Sequence, residues 1–160
     1  MVSNTTPISS LARIGHLRLL EQLFEEILIP PQVARELDRG KAILGDWRQL
    51  PGAACLKLEE PLDGPFLRQL CTQLDEGEAA TIALAVERNA GLILLDELAG
   101  RKLAGYHGLK LNGTLGILLE ARQAELIPAV APVLDALERQ NFRIGPALRE
   151  RILVLAGEAV

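Results

Sequence analysis

No apolar run approaches the ~20 residues a helix needs to cross a membrane. The N-terminus lacks a basic flank, a long apolar stretch and a small-residue cleavage site, so no signal peptide is expected. Together these absences predict a cytoplasmic protein. Aromatic residues make up only 3% of the chain, which leaves little for the base stacking used by single-strand binders. The two cysteines, Cys55 and Cys71, sit in different segments and match no metal spacing. Ordinary reduced thiols are expected. His16 and His107 are too isolated to suggest zinc. No Gly-rich phosphate loop of either usual kind is present. The net charge is −4 and the pI about 5.3, which counts against gripping a nucleic-acid backbone by bulk charge. A metal-dependent nuclease remains open, because such a site is itself acidic and a local basic rim can hold phosphate. Its substrate would be held mainly through phosphate, metal and shape.

What is present is a core. The chain has 160 residues, 49% of them hydrophobic, enough for one domain over 1–160. Met1–Ser3 reads as a very short strand. Asn4-Thr5-Thr6-Pro7 turns into a helix, with Thr5 or Thr6 as cap and Pro7 in the first turn. Gly15 stops it. A second helix follows over 17–24. Ile27–Ile29 is a strand by its β-branched run, and Pro31 opens a helix over 32–38. The stretch 41–73 is hardest to read: Trp47 lies in a short helical candidate, 55–58 reads as a strand and 66–74 as a helix. Gly77–Asn89 is a strong, closely packed helix. Leu92–Leu95 is a continuous apolar run that fits a strand covered on both faces. A helix to Tyr106, a strand over 109–111 and helices over 115–124, 130–140 and 146–156 complete the chain. Strands alternating with helices imply parallel pairing and right-handed crossovers. The expected fold class is therefore α/β.

In such a sheet, ligands bind outside the carboxyl ends of the strands. Three expected strands end in polar residues: Asn4-Thr5-Thr6, Asp96-Glu97 and Asn112-Gly113-Thr114. If the strands are neighbours, these groups converge, and Glu36 and Glu78 can enter the same space from flanking helices. Hard cations such as Mg²⁺ and Mn²⁺ take oxygen ligands from a few carboxylates, with water and phosphate completing the shell. Gathering carboxylates without a cation is costly, because like charges repel. A cation so held activates water for in-line attack on a phosphodiester. Each residue also has an ordinary role. Asn4 and Thr114 fit helix caps, Glu36 a solvated helix face, and Asp75, Glu76 and Glu78 an acidic helix start that complements the macrodipole. Asp96, directly after the most buried strand, is the sharpest candidate, although it also fits an N-cap. Arg101 and Lys102 are candidates for phosphate contact or a solvated helix face. Arg13, Arg18, Lys110 and Arg122 are weaker ones.

The order of these motifs resembles the PIN-domain family, and within it the VapC-related branch of bacterial and archaeal nucleic-acid-binding proteins. The matching pieces are Val2–Ile8, Ile29-Pro30 with Val33–Leu37, Leu74–Ala79, Leu94–Glu97 and Asn112–Gly116. The resemblance implies a PIN-like three-layer fold with a short, mostly parallel sheet flanked by helices. It implies a Mg²⁺- or Mn²⁺-dependent ribonuclease, with Asn4, Glu36, Glu78 and Asp96 as catalytic residues. Metal would be held by Asn4, Glu78, Asp96 and Glu97. Thr114 matches the threonine after the last strand and, with Arg101 and Lys102, is assigned to nucleic-acid binding. The resemblance also implies RNA as partner, a homodimer, and often a toxin neutralised by a small antitoxin. The family's first acidic position is usually aspartate; here it is Asn4, whose amide oxygen can ligate a metal but carries no charge.

Three functions follow from this reading. The first is a metal-dependent ribonuclease. The second is a catalytically weak or inactive module that binds nucleic acid or protein, favoured by Asn4 and the acidic net charge. The third is a regulatory subunit acting through its dimer surface, with Ile144, Leu148, Ile152, Leu153 and Leu155 at the interface or, more simply, in the core.

Overall fold

The computed structural model describes residues 1–158. Strands β1 (Val2–Ser3), β2 (Ile27–Ile29), β3 (Leu56–Leu58), β4 (Ile93–Leu94) and β5 (Leu111–Asn112) form one sheet in the order β3-β2-β1-β4-β5. Every neighbouring pair is parallel. Val2 pairs with Leu28 on one side and Ile93 on the other, and Leu94 pairs with Asn112. The expected α/β architecture is therefore present, and the strands that end in polar residues are neighbours.

The helices are α1 (Thr5–Arg13), α2 (Arg18–Leu23), α3 (Pro31–Arg39), α4 (Lys41–Leu44), α5 (Pro65–Leu70), α6 (Glu76–Glu87), α7 (Leu98–Tyr106), α8 (Thr114–Gln123), α9 (Ala131–Arg139) and α10 (Pro146–Leu155). Short 3₁₀ turns lie at Trp47–Gln49 and Ala53–Cys55. No helix among the described residues is long and apolar enough to cross a membrane.

Three layers follow from strand alternation. Successive side chains leave a strand on opposite faces. Ile27, Ile29 and Leu94 therefore join one core with α1, α2, α3, α8, α9 and α10. Val2, Ile93 and Leu95 join the other with α5, α6 and α7. Ile27, Ile29, Ile93, Leu94 and Leu95 have no exposed surface, so truncating one to alanine costs about 2–5 kcal/mol. Helix α6 is buried on almost all sides, from Gly77 to Ala85. Its small residues let it approach α3 and the sheet closely, and its first turn opens onto the carboxyl edge.

Several local expectations shift. Helix α4 was not expected. The helix opened by Pro65 ends at Leu70, and Cys71–Leu74 continue as turns whose amides return to Leu67, Gln69 and Leu70. Strand β5 lies at Leu111–Asn112 rather than 109–111, because Leu94 of β4 takes Asn112 as its partner. Cys55 is buried, Cys71 is exposed and both are free. In α10, Ile152 and Leu153 complete the core, while Leu148 and Leu155 remain exposed.

Candidate functional site

The sheet order reverses direction between β1 and β4, and the chain leaves the two strands on opposite sides. A crevice outside the carboxyl ends of such strands is the usual ligand site of this architecture. Asn4 follows β1, the Asp96-Glu97 pair closely follows β4, and Thr114 follows β5. Glu36 arrives from α3 and Glu78 from the first turn of α6.

Asp96 is the most firmly held. It accepts hydrogen bonds from the Thr114 backbone N–H at 2.8 Å and the Thr114 hydroxyl at 2.6 Å. Burial pushes its carboxyl up, the two Thr114 bonds and Arg101 pull it back, and the Glu97 charge adds to the rise. Gly113 permits this contact, because a Cβ there would run into the Asp96 carboxylate. Thr114 has no exposed surface. Its hydroxyl is committed to Asp96, so it orients a carboxylate and offers no surface to a phosphate. Gly113 occupies the cap position of α8.

Glu97 sits at the cap position of α7 but makes no side-chain cap bond. Instead it turns across the edge, accepting from the Thr6 hydroxyl and from Asn4 Nδ2 at 3.3 Å. It adds to the raised carboxyls of Glu36, Glu78 and Asp96 alike. Glu97 is thus the charge that all three share, a more central place than its sequence position suggested.

Glu78 is only 6% exposed. Its carboxyl is raised to about 7, first by burial, then by the nearby Asp75 and Glu97 charges. Asp75 caps α6, accepting from the Glu78 backbone N–H at 2.8 Å. The helix-start role therefore belongs to Asp75, which leaves the Glu78 side chain to turn inward. Glu36 accepts from the Thr5 hydroxyl. Its carboxyl is also raised, chiefly by burial, with Asp75 and Glu97 adding to the effect. The carboxylate packs over the start of α6 at Gly77, where a Cβ would collide with it.

Thr5 and Thr6 do not cap α1. Asn4 occupies that position without a side-chain cap bond, and the threonine hydroxyls brace Glu36 and Glu97. Arg101 donates to the Leu95 carbonyl at 2.8 Å and lines a cavity beside Asp96. Lys102, one position on, is exposed and is not among the residues lining that cavity. Sequence reasoning missed Phe142 and Arg143, which border the same cavity from the α9–α10 connection. No local pattern marks them; only tertiary folding brings that connection to the edge.

Among the described residues, no three His, Cys, Asp or Glu side chains lie close enough together to hold a metal ion. Glu36, Glu97 and Asp96 are each braced by a threonine hydroxyl, whereas Glu78 is not. The donor chemistry nevertheless fits a hard cation. All donors are oxygens, and two buried ones, Asn4 Oδ1 and Glu78 Oε1, have no hydrogen-bond partner. Such atoms are costly to leave unsatisfied, and oxygens of this kind are the ligands a hard cation takes.

No curated protein and no solved structure matches the chain. A family model described as a PIN domain matches residues 1–158. With the five-stranded parallel sheet and its acidic carboxyl edge, that match over nearly the whole length places the chain in the PIN-domain family, a nuclease-type module.

Proposed function

We propose that this protein is a Mg²⁺- or Mn²⁺-dependent ribonuclease that hydrolyses phosphodiesters by in-line attack of water. The observation that supports it is the placement of Glu36, Glu78, Asp96 and Glu97 along one edge, near enough to raise one another's carboxyls. Three of them are held above their ordinary range, in part by Glu97. Carboxyls raised by burial and by one another at a crevice are more typical of functional sites than of structural ion-pair clusters.

In this reading Asn4, Glu78, Asp96 and Glu97 hold the cation, through Asn4 Oδ1 and the carboxylate oxygens. The bound ion would activate water and stabilise charge on a phosphoryl oxygen. The chain's own residues prepare the edge. Thr114 fixes Asp96 in one rotamer, Thr6 and Asn4 fix Glu97, and Thr5 fixes Glu36. Glu78, whose carboxyl stands at about 7 in the protein alone, would be held ionised as a ligand by the charge of the bound cation. Arg101 supplies positive charge beside Asp96 for a phosphate. The test is cleavage of RNA by purified protein: turnover should require divalent cation and disappear in a folded Asp96→Asn variant. Full-rate cleavage by that variant would show the site assignment to be wrong.

The VapC-related resemblance extends the proposal to a homodimeric toxin held in check by a small antitoxin. Growth arrest on induction, relieved by Asp96→Asn, tests the toxin role, and light scattering tests the dimer.

One observation favours a second reading, a binding module without turnover. Asn4 brings no charge and spends its amide as a donor to Glu97. Chelator-insensitive RNA binding with no cleavage would select this alternative.

A further inference from the structure

Two cavities lie by the acidic edge, one lined by Asp96 and the other by Thr6, and Phe142 lines both. The larger, about 410 Å³, is bordered by Asp96 and Arg101 on one side and by Phe142, Arg143, Leu148 and Ile152 on the other. The smaller, about 260 Å³, is lined by Thr6, Ser9, Ser10, Arg13, Asn141 and Phe142. Thr6 is the residue whose hydroxyl holds Glu97. One cavity is thus lined by Asp96 and the other by the residue that holds Glu97, and Phe142 borders both. No other aromatic lines either cavity among the described residues.

Phe142 is well anchored for such a role. Asn141 adopts the left-handed conformation at φ 64, which closes the end of α9. The Phe142 backbone N–H returns to the Leu137 carbonyl at 3.0 Å, the pattern of a helix terminated by a left-handed residue. The ring is half-buried and packs in part against the core. A residue so fixed at the border of both cavities offers a preformed surface for a flat partner. The two cavities also differ in chemistry. The larger combines apolar walls with the guanidinium groups of Arg101 and Arg143. The smaller is lined mostly by hydroxyls and amides, with Arg13 at its side.

The geometry points to Phe142 as a wedge that separates two adjacent nucleotides of a single-stranded RNA, with one base stacked on its ring in the larger cavity. The phosphate of that nucleotide lies toward Arg101 and Arg143. The ribose-phosphate of its neighbour lies among Ser9, Ser10 and Arg13. The phosphodiester between them is thereby carried across the carboxylate pair. Parting two stacked bases of a duplex costs unstacking energy, so the arrangement favours unpaired RNA, whose bases are readily splayed apart. Arg13, Arg101 and Arg143 also answer the objection of a net charge of −4, because the strand meets positive charge on either side of the acidic centre. The inference rests on the acidic edge being a nucleic-acid site, but it concerns binding and not turnover.

The test is a fluorescence titration with a short single-stranded RNA carrying one 2-aminopurine, whose emission falls when it stacks. It is done in the Asp96→Asn background with Mg²⁺ present, so that the probe is not consumed. Stacking on an aromatic side chain implies that Phe142→Leu, which keeps the apolar packing, binds about tenfold more weakly and loses the quench. Phe142→Tyr, which keeps a flat ring, retains both. The same sequence as a duplex binds less well and without quench. The inference is overturned if Phe142→Leu binds and quenches as its parent does, if the Tyr variant fails as badly as the Leu variant, if the duplex binds equally well, or if the parent binds no single strand. A protein that passes this test but shows no metal-dependent cleavage keeps the wedge and loses the ribonuclease reading. One that cleaves RNA while Phe142→Leu changes nothing does the reverse.

Discussion

Helix α3 carries two carboxylates two residues apart, and they are treated in opposite ways. Asp38 points to the surface, where it accepts from Arg48 at 2.6 Å and 3.2 Å and from the Trp47 indole at 2.9 Å. The Arg48 guanidinium lies over the Trp47 ring at 4.4 Å. These donors hold the Asp38 carboxyl below its ordinary range. Glu36 points to the sheet edge, takes one hydroxyl, and faces Asp75 and Glu97; its carboxyl is raised. The first arrangement is complete in itself, a carboxylate with a matched cation. The second is a charge gathered among like charges, with Arg39 of the same helix to offset it in part. The protein alone leaves that imbalance in place, and a bound cation would relieve it.

Substitutions on the two sides should differ accordingly. The largest effect is expected from Asp96→Asn, a loss of metal-dependent cleavage of about a thousandfold, on the scale of removing a main electrostatic contributor. Circular dichroism should show the fold retained. Thr114→Val should lower cleavage by about 10- to 100-fold, the usual cost of removing the partner that orients a ligand. It should also destabilise the protein by about 1.5–3 kcal/mol, since a buried hydrogen bond to a charged group is lost. Denaturant titration measures that part. Asn4→Asp should sharpen the comparison by adding another acid beside Glu97. The metal-free protein should become less stable, while calorimetry should show tighter Mn²⁺ binding.

The pH dependence separates the sides further. Glu78 has its folded carboxyl at about 7 against an ordinary 4.5, so the folded state binds the extra proton. The stability it contributes is complete below the lower value and is lost as pH rises through the upper one. Metal-free native protein should therefore lose Tm relative to Glu78→Gln across that window, by a few degrees, since ~1 kcal/mol moves Tm by about 2–4 °C at this size. Asp38 has the opposite sign, with its contribution present at neutral pH and lost as acid protonates it. Being exposed, Asp38→Asn should change stability by less than about 1 kcal/mol and leave cleavage untouched.

Much of this arrangement was legible in the residues. The run Leu92–Leu95 followed by Asp96, and Val2-Ser3 followed by Asn4, mark strands that stop where polar chemistry begins. The alternation of strand and helix makes them parallel, which puts their ends on one edge. The buried face of α6 was equally visible in its alanines. What sequence could not supply is which competing local role each polar residue would take. Asp75 and Glu78 both fit an acidic helix start, and only the packing of α6 against α3 and α7 turns Glu78 inward. Thr5 and Thr6 look like caps because the local rule is strong, but tertiary partners claimed their hydroxyls. Phe142 lies 46 residues beyond Asp96 and carries no motif, so its place at the border of two cavities could emerge only from the fold.

The central claim is that the mismatched edge binds a divalent cation and the matched surface does not. Calorimetric titration of metal-free protein with Mn²⁺ tests it most directly, beside Asp96→Asn and Asp38→Asn. The account predicts saturable binding by the native protein and by Asp38→Asn, and its loss in Asp96→Asn. Equal binding by all three, or none by the well-folded native protein, would contradict it.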